Sequence, residues 1–253
     1  MPITRRRGVF YEGGRPVSEA EQVRCRKIGI PPAYTDVRVF PASSKKLQAT
    51  ALDASGKKHY YYHDAFLDQQ RRKRRARALQ IDFSKIKNAT SRILAKPKTH
   101  PSWDDALALR MIAAGYLRTG VQERETGALG AFQLTKRHIR LGADGETVSF
   151  DFPAKSGQRR RFDAKDRVLH AALSKQRTSR LLVGNAKYER VRDLLRKITR
   201  NDRIQLKDIR TAGSMQLYEQ KLKKTDGDEA LALKQTAETI GHTPAVSKKY
   251  YVL

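Results

Sequence analysis

Up to about residue 70 the chain alternates. Residues 35–40 (TDVRVF) and 47–52 (LQATAL) place apolar and polar side chains in period two, the spacing of a half-buried strand. Residues 8–14 (GVFYEGG) form a predicted hairpin that turns at Gly13 and Gly14, and a turn over Asp53–Gly56 leads into residues 57–62 (KKHYYY). One helix interrupts them, Ser18–Lys27, with Ser18 and Glu21 at the spacing of a capping box. Ile30, Pro31 and Pro32 end it. The expectation for this part is a small antiparallel sheet. From Ile81 onward the apolar spacing changes to threes and fours, and helices dominate. The best candidate runs from Ser102, with Asp105 as its capping partner, to Arg118, and Leu107, Met111, Ala114 and Arg118 share one stripe.

Three short strands break the helical half: His138–Leu141, Thr147–Phe152 and Arg159–Asp163. Glycine-bearing turns join them, and the second turn holds Lys155 at its tip. Helices resume after Asp166 and through Lys187–Lys197. Leu206–Gly213 then leads into a helix ending near Lys224, and Glu229–Ile240 is the last long helix. Between the two halves, residues 64–81 read as helix or linker, and Arg71–Arg77 holds six basic residues in seven. The pattern therefore predicts an α+β chain of two domains. Residues 1–77 are a β domain, and residues 78–253 are a mainly α-helical domain containing a three-stranded sheet.

Charge narrows the partner. The chain carries 53 Lys and Arg against 26 Asp and Glu, a net +27, and so large an excess opposes compaction unless a polyanion offsets it. Nucleic acid is the first candidate, with counterion release supplying affinity. A ribosomal protein or an anionic membrane surface suits the charge equally. No apolar run approaches the roughly 20 residues of a membrane helix, and the first ten residues lack a secretory core. The single cysteine, Cys25, fits a reducing cytoplasm. Six histidines without ligand spacing predict no metal and no cofactor.

The candidate chemistry lies at residues 234–251, KQTAETIGHTPAVSKKYY. Gly241 can end one helix, Thr243 can cap the next, and Pro244 fits its first turn. A helix of about two turns then carries Tyr250 and Tyr251 back toward His242. A histidine and a phenol at one point in so basic a chain suggest chemistry on a phosphodiester. A capping turn beside a packed tyrosine explains the same residues. Arg118, on an apolar stripe, needs a counter-charge, either a carboxylate or a substrate phosphate. Lys155 is a turn-tip lysine, and Arg210 is a further phosphate-binding candidate. Lys57, Lys58, Tyr60 and Tyr62 either read a DNA groove or form an ordinary strand. The Arg71 and Arg72 run is either a solvated helix face or a connector lying along a duplex backbone.

Taken together, Arg118, Lys155, the Lys207–Arg210 box (KDIR), His242 in GHTP and Tyr251 nine residues later resemble the type IB DNA topoisomerases, in their small poxvirus-like and bacterial branch. Residues 32–37 (PAYTDV) and 55–62 (SGKKHYYY) are similar to that branch's N-terminal β domain, so the resemblance spans nearly the whole chain in order. It implies two lobes closing as a C-shaped clamp on duplex DNA, and a monomer that relaxes supercoils of both signs without ATP or metal. Tyr251 would attack the phosphodiester and leave a 3′-phosphotyrosyl bond. Arg118 and Arg210 would hold the non-bridging oxygens with His242, and Lys155 would protonate the departing 5′ oxygen. Tyr60, Tyr62, Lys57 and Lys58 would enter the major groove. Ser156 stands where poxvirus-like members can carry an acidic residue.

Tyrosine recombinases share this constellation but usually have His-x-x-Arg where this chain has Lys207-x-x-Arg210. A non-catalytic basic DNA-binding module explains the charge but not five such residues in order. The resemblance also implies helices after the tyrosine, whereas this sequence ends at Leu253, so a less firmly held nucleophile and lower activity are expected. The expected location is the cytoplasm, on the nucleoid in a bacterium or in the virion of a virus.

Overall fold

The computed structural model describes residues 2–120, 127–176 and 181–248. It divides into two compact units, residues 1–73 and 74–253. Each has its own apolar core.

The first unit is a six-stranded antiparallel sheet. Its strands are β1 (Ile3–Arg6), β2 (Val9–Glu12), β3 (Arg15–Pro16), β4 (Thr35–Val39), β5 (Leu47–Leu52) and β6 (Lys58–Tyr62), in the order β3-β2-β1-β4-β5-β6. Alternation works as expected in β4, where Val37 and Val39 are buried while Asp36 and Arg38 are exposed. They meet Ile3, Phe10, Ala49 and Ala51. Helix α1 (Glu19–Lys27) closes this core with Cys25, and its buried Gln22 satisfies both backbone groups of Phe10, at 3.0 and 2.8 Å. Ser18 caps α1 by accepting from the Glu21 N–H. The expected reciprocal half of the box does not form, because the Glu21 carboxylate pairs with Arg24 instead. The segment read as helix or linker is the helix α2 (Asp64–Ala78).

The second unit is built around α4 (Trp103–Gly115). The expected amphipathic helix ending at Arg118 is corrected in two ways. Every residue from Trp103 to Ala113 is buried, so the helix is central and has no solvent face. It also stops at Gly115, because Tyr116 turns left-handed at φ 49°. Ser102 holds the N-cap position as expected, but its side chain makes no cap hydrogen bond. Asp105 pairs with Arg190, and Asp104 accepts the Asn185 N–H. Around α4 lie α3 (Phe83–Leu94), α5 (Arg167–Ser174), α6 (Tyr188–Thr199) and α7 (Leu206–Lys224). The antiparallel sheet β7 (Ile139–Leu141), β8 (Thr147–Pro153) and β9 (Arg159–Lys165) packs against it through Phe150, Phe152 and Ala164. After α7 come α8 (Glu229–Ile240) and the single turn α9 (Pro244–Ser247).

Inside this core Arg110 and Asp166 form a two-point ion pair, both bonds 2.8 Å, with side-chain exposures of 6% and 5%. Arg110 also donates to the Lys87 carbonyl and to the Thr90 and Ser91 hydroxyls. Asp166 caps α5 through the Leu169 N–H. Breaking a buried pair leaves an uncompensated charge and costs about 3–5 kcal/mol. Arg110→Met is therefore expected to lower unfolding stability by that order in a urea titration. A loss below about 1 kcal/mol would show that the pair does not hold α3, α4 and α5 together.

Candidate active site

The site lies where α4, α7 and α8 present their ends. Past Tyr116 the chain leaves the core, so Leu117 is buried and Arg118 exposed. The backbone of Arg118 is held by the Ala131 N–H, which donates to the Arg118 carbonyl at 2.7 Å. A Cβ on Gly130 would sit 2.4 Å from the Gly120 carbonyl oxygen, so only glycine fits there.

Helix α7 begins at Leu206 itself, so the expected lead-in segment forms its first turns. The box divides by face. Lys207 is exposed, while Asp208 points inward, caps the Gln205 N–H at 2.9 Å and takes a two-point pair from Arg77 at 2.7 and 3.2 Å. Arg210, 5% exposed, donates to the Tyr116 carbonyl at 2.9 Å and to the Gly241 carbonyl at 3.2 Å. One guanidinium thus joins the end of α4 to the end of α8, which a planar fork of donors allows. The Tyr116 ring lies on the bare backbone of Gly213, one turn further along α7.

Gly241 ends α8 at φ 77°, Thr243 caps α9 through the Val246 N–H, and Pro244 opens it, all as the sequence predicts. His242 sits between, its Nδ1 3.3 Å from the Ser247 hydroxyl. Burial and then Arg210 push its pKa down to about 4 against an opposing hydrogen bond at Thr243, with smaller downward contributions from Arg118 and Arg160. The imidazole is therefore neutral at pH 7.

Arg118, Lys155, Lys207, Arg210, Thr211 and Arg74 line one cavity of about 370 Å³. Lys155 reaches it from the tip between β8 and β9, where the Ala154 N–H closes on the Gln158 carbonyl at 2.6 Å. No carboxylate pairs with Arg118 among the described residues. Tyr250 and Tyr251 lie outside the described residues.

The remaining named residues belong to the first unit. Lys58, Tyr60 and Tyr62 share one face of the edge strand β6. The two rings stack at 6.3 Å, with the Lys58 ammonium 5.9 Å from the Tyr60 ring, whereas Tyr61 packs against the core. Lys57 precedes the strand. Arg71 pairs with Asp68, and Arg72 is exposed.

Two residues escaped the sequence reading. Arg74 belongs to the basic run, but nothing in the run marks it as the member that lines the cavity. Arg160 alternates on β9 with exposed Arg159 and Arg161. Period two in that strand groups it with Ala164 on the inner face, a signal the sequence did carry.

Comparison with known proteins adds a second line of observation. Residues 67–251 match the family model for the catalytic core of eukaryotic DNA topoisomerase I, and residues 10–53 match that for the N-terminal domain of bacterial DNA topoisomerase IB. The DNA topoisomerase 1B of Acanthamoeba polyphaga mimivirus is 28% identical over 276 residues, covering 96% of this chain and 81% of that one. The DNA topoisomerase I of Monkeypox virus is 25% identical over 284 residues, covering 97% and 87%. Among solved structures, the XerH site-specific recombinase bound to difH substrate aligns with a TM-score of 0.46 at 16% identity, over 68% of this chain and 48% of that one.

Two outcomes follow from the geometry. An alanine Cβ at Gly213 would lie 2.1 Å from the Tyr116 ring, and its contacts include the ring's inner carbon, so the left-handed turn must shift with it. Helix propensity alone would favour Gly213→Ala by about 1 kcal/mol, whereas overpacking costs about 1–3. Net destabilisation in thermal unfolding is expected, and a more stable variant would contradict the contact. For His242, a lowered folded pKa means that the unfolded chain takes up the proton first. Its contribution to stability is thus fully present above about pH 6.5 and is lost as pH falls toward 4. The stability difference between the parent and His242→Asn should move in the parent's disfavour over that window. A difference independent of pH would contradict the buried neutral ring.

Proposed function

The chain belongs to the type IB DNA topoisomerase family, and on that premise we propose that it relaxes supercoiled duplex DNA of either sign by opening and resealing one strand through a 3′-phosphotyrosyl intermediate, without ATP or metal. The observation that carries this reading is the meeting of Arg118, Lys155 and Arg210 on one cavity. His242 follows directly the carbonyl that anchors Arg210.

Tyr251 is the nucleophile, nine residues after His242. Its phenolic oxygen, losing its proton, bonds to phosphorus as the bond to the 5′ oxygen breaks. One phosphodiester is exchanged for another, so resealing needs no external energy source. Arg118 and Arg210 place charge-assisted donors on the non-bridging oxygens, where negative charge grows in the transition state. The neutral His242 ring adds an N–H donor without needing to be protonated. Lys155, exposed at the tip of its hairpin, gives the proton to the leaving 5′ oxygen. Lys207 and Arg74 extend the basic lining toward neighbouring phosphates. In the first unit the Tyr60–Tyr62 stack beneath Lys58 offers a flat aromatic and cationic face to the duplex. The protein acts as a monomer, and its affinity falls steeply with salt.

The test is relaxation of negatively supercoiled plasmid in EDTA without ATP. The parent chain should relax it, and Tyr251→Phe should abolish relaxation. Arg118→Ala and Arg210→Ala should each slow strand cleavage by about 10²–10³, the usual loss for one donor to a developing anion. Relaxation by Tyr251→Phe, or a strict requirement for added metal, would overturn the proposal.

A further inference from the structure

We infer that Arg160 is a positioning residue of this centre, a buried guanidinium that ties the Lys155 hairpin to the two segments presenting Arg118 and His242. It lies on β9, paired across the sheet with Phe152, five residues after Lys155. Only 7% of it is exposed. The guanidinium donates to the carbonyl of Gly115, the last residue of α4 and three before Arg118. It donates also to the carbonyl of Thr239 at 3.4 Å, three residues before His242. Its flat face lies 4.7 Å from the Phe162 ring. The side-chain stem passes close to Gly241, where a Cβ would come within 3.3 Å of it, so the glycine that ends α8 also leaves room for this link.

A merely structural brace would not need a cation here. A buried charge without a counter-charge is costly, and Arg160 has no carboxylate partner among the described residues. Its Nε–H is buried and finds no acceptor there either. Burial, Arg210 and Arg118 push its pKa down to about 9, which records the repulsion while leaving it charged at pH 7. Arg210 and Arg118 add their positive charge to that of Arg160, and a phosphodiester bound beside them would offset it. Arg160 thus fixes where the donors stand and adds positive potential behind them. This inference rests on the topoisomerase reading for its kinetics but not for its electrostatics.

The experiment has two arms. In single-turnover cleavage of a nicked suicide duplex, Arg160→Gln should slow cleavage at least tenfold while Kd for the duplex changes less than threefold. Arg160→Lys, which keeps the charge but not the planar fork of donors, should recover part of that loss. Cleavage by Arg160→Gln within twofold of the parent, or a Kd that rises in step with the rate loss, would overturn the inference.

The second arm follows the His242 ring by NMR in the DNA-free protein, where the cations acting on it are Arg210 from α7, Arg118 from the segment after α4 and Arg160 from β9. Its titration should move up from about 4 in Arg160→Gln and stay near the parent's in Arg160→Lys. An unmoved titration in Arg160→Gln would overturn the electrostatic part. Should Arg160→Gln fail to fold, Arg160→Lys decides alone, with at least threefold slower cleavage expected and parental speed overturning the inference. A parent that binds duplex but never cleaves would count against the topoisomerase reading, and the titration arm would still judge Arg160.

Discussion

The catalytic unit depends on a single buried fork. Arg210 donates to the carbonyls of Tyr116 and Gly241, and those two groups end α4 and α8. Both residues are left-handed, which turns their carbonyls away from the helical ladder. Tyr116 is held there by Gly213, on the same helix as Arg210. Arg118 follows the first carbonyl by two residues and His242 the second by one. The positions of three proposed catalytic groups are therefore set by one side chain and by two helix ends that only a narrow choice of residues can form.

Electrostatics sets the second constraint. Arg118, Arg160 and Arg210 act together on His242, and Arg118 and Arg210 act on Arg160. Ordinary surface arginines find carboxylates, as Arg24, Arg159 and Arg190 do. The core handles its own buried charge in the same way, through Arg110 and Asp166. Arg160, behind the cavity, has no carboxylate partner among the described residues. On the proposed reading, a substrate phosphate would offset the charge of these guanidiniums.

Local signals carried much of this in the sequence. Period two gave β4 and β5, and glycine-bearing turns marked β2, β6 and the strands of the second sheet, while β1 went unread; the Gly241, Thr243 and Pro244 pattern gave both helix ends around His242, since caps act locally. Signals that depend on distant partners were not legible. Nothing local says that Asp105 will leave the cap of α4 for Arg190, or that Glu21 will turn to Arg24. The end of α4 is set by a tyrosine, not by a glycine or proline, and a wheel drawn through Arg118 ran past it. A helix buried all round has no stripe to read. Arg160 was hidden for a different reason. It sits among arginines at 159 to 161, where composition suggests a solvated face and only the strand period separates the middle one.

The central claim is that this constellation cuts DNA through Tyr251 and holds the 3′ end. It is tested most directly by quenching the reaction on a suicide duplex with denaturant, then digesting the covalent adduct and sequencing the linked peptide. The account predicts a single adduct, joining the 3′ phosphate of the cut strand to Tyr251 and leaving a free 5′ hydroxyl. An adduct at a 5′ phosphate, attachment to another residue, or cleavage with no covalent species would contradict it.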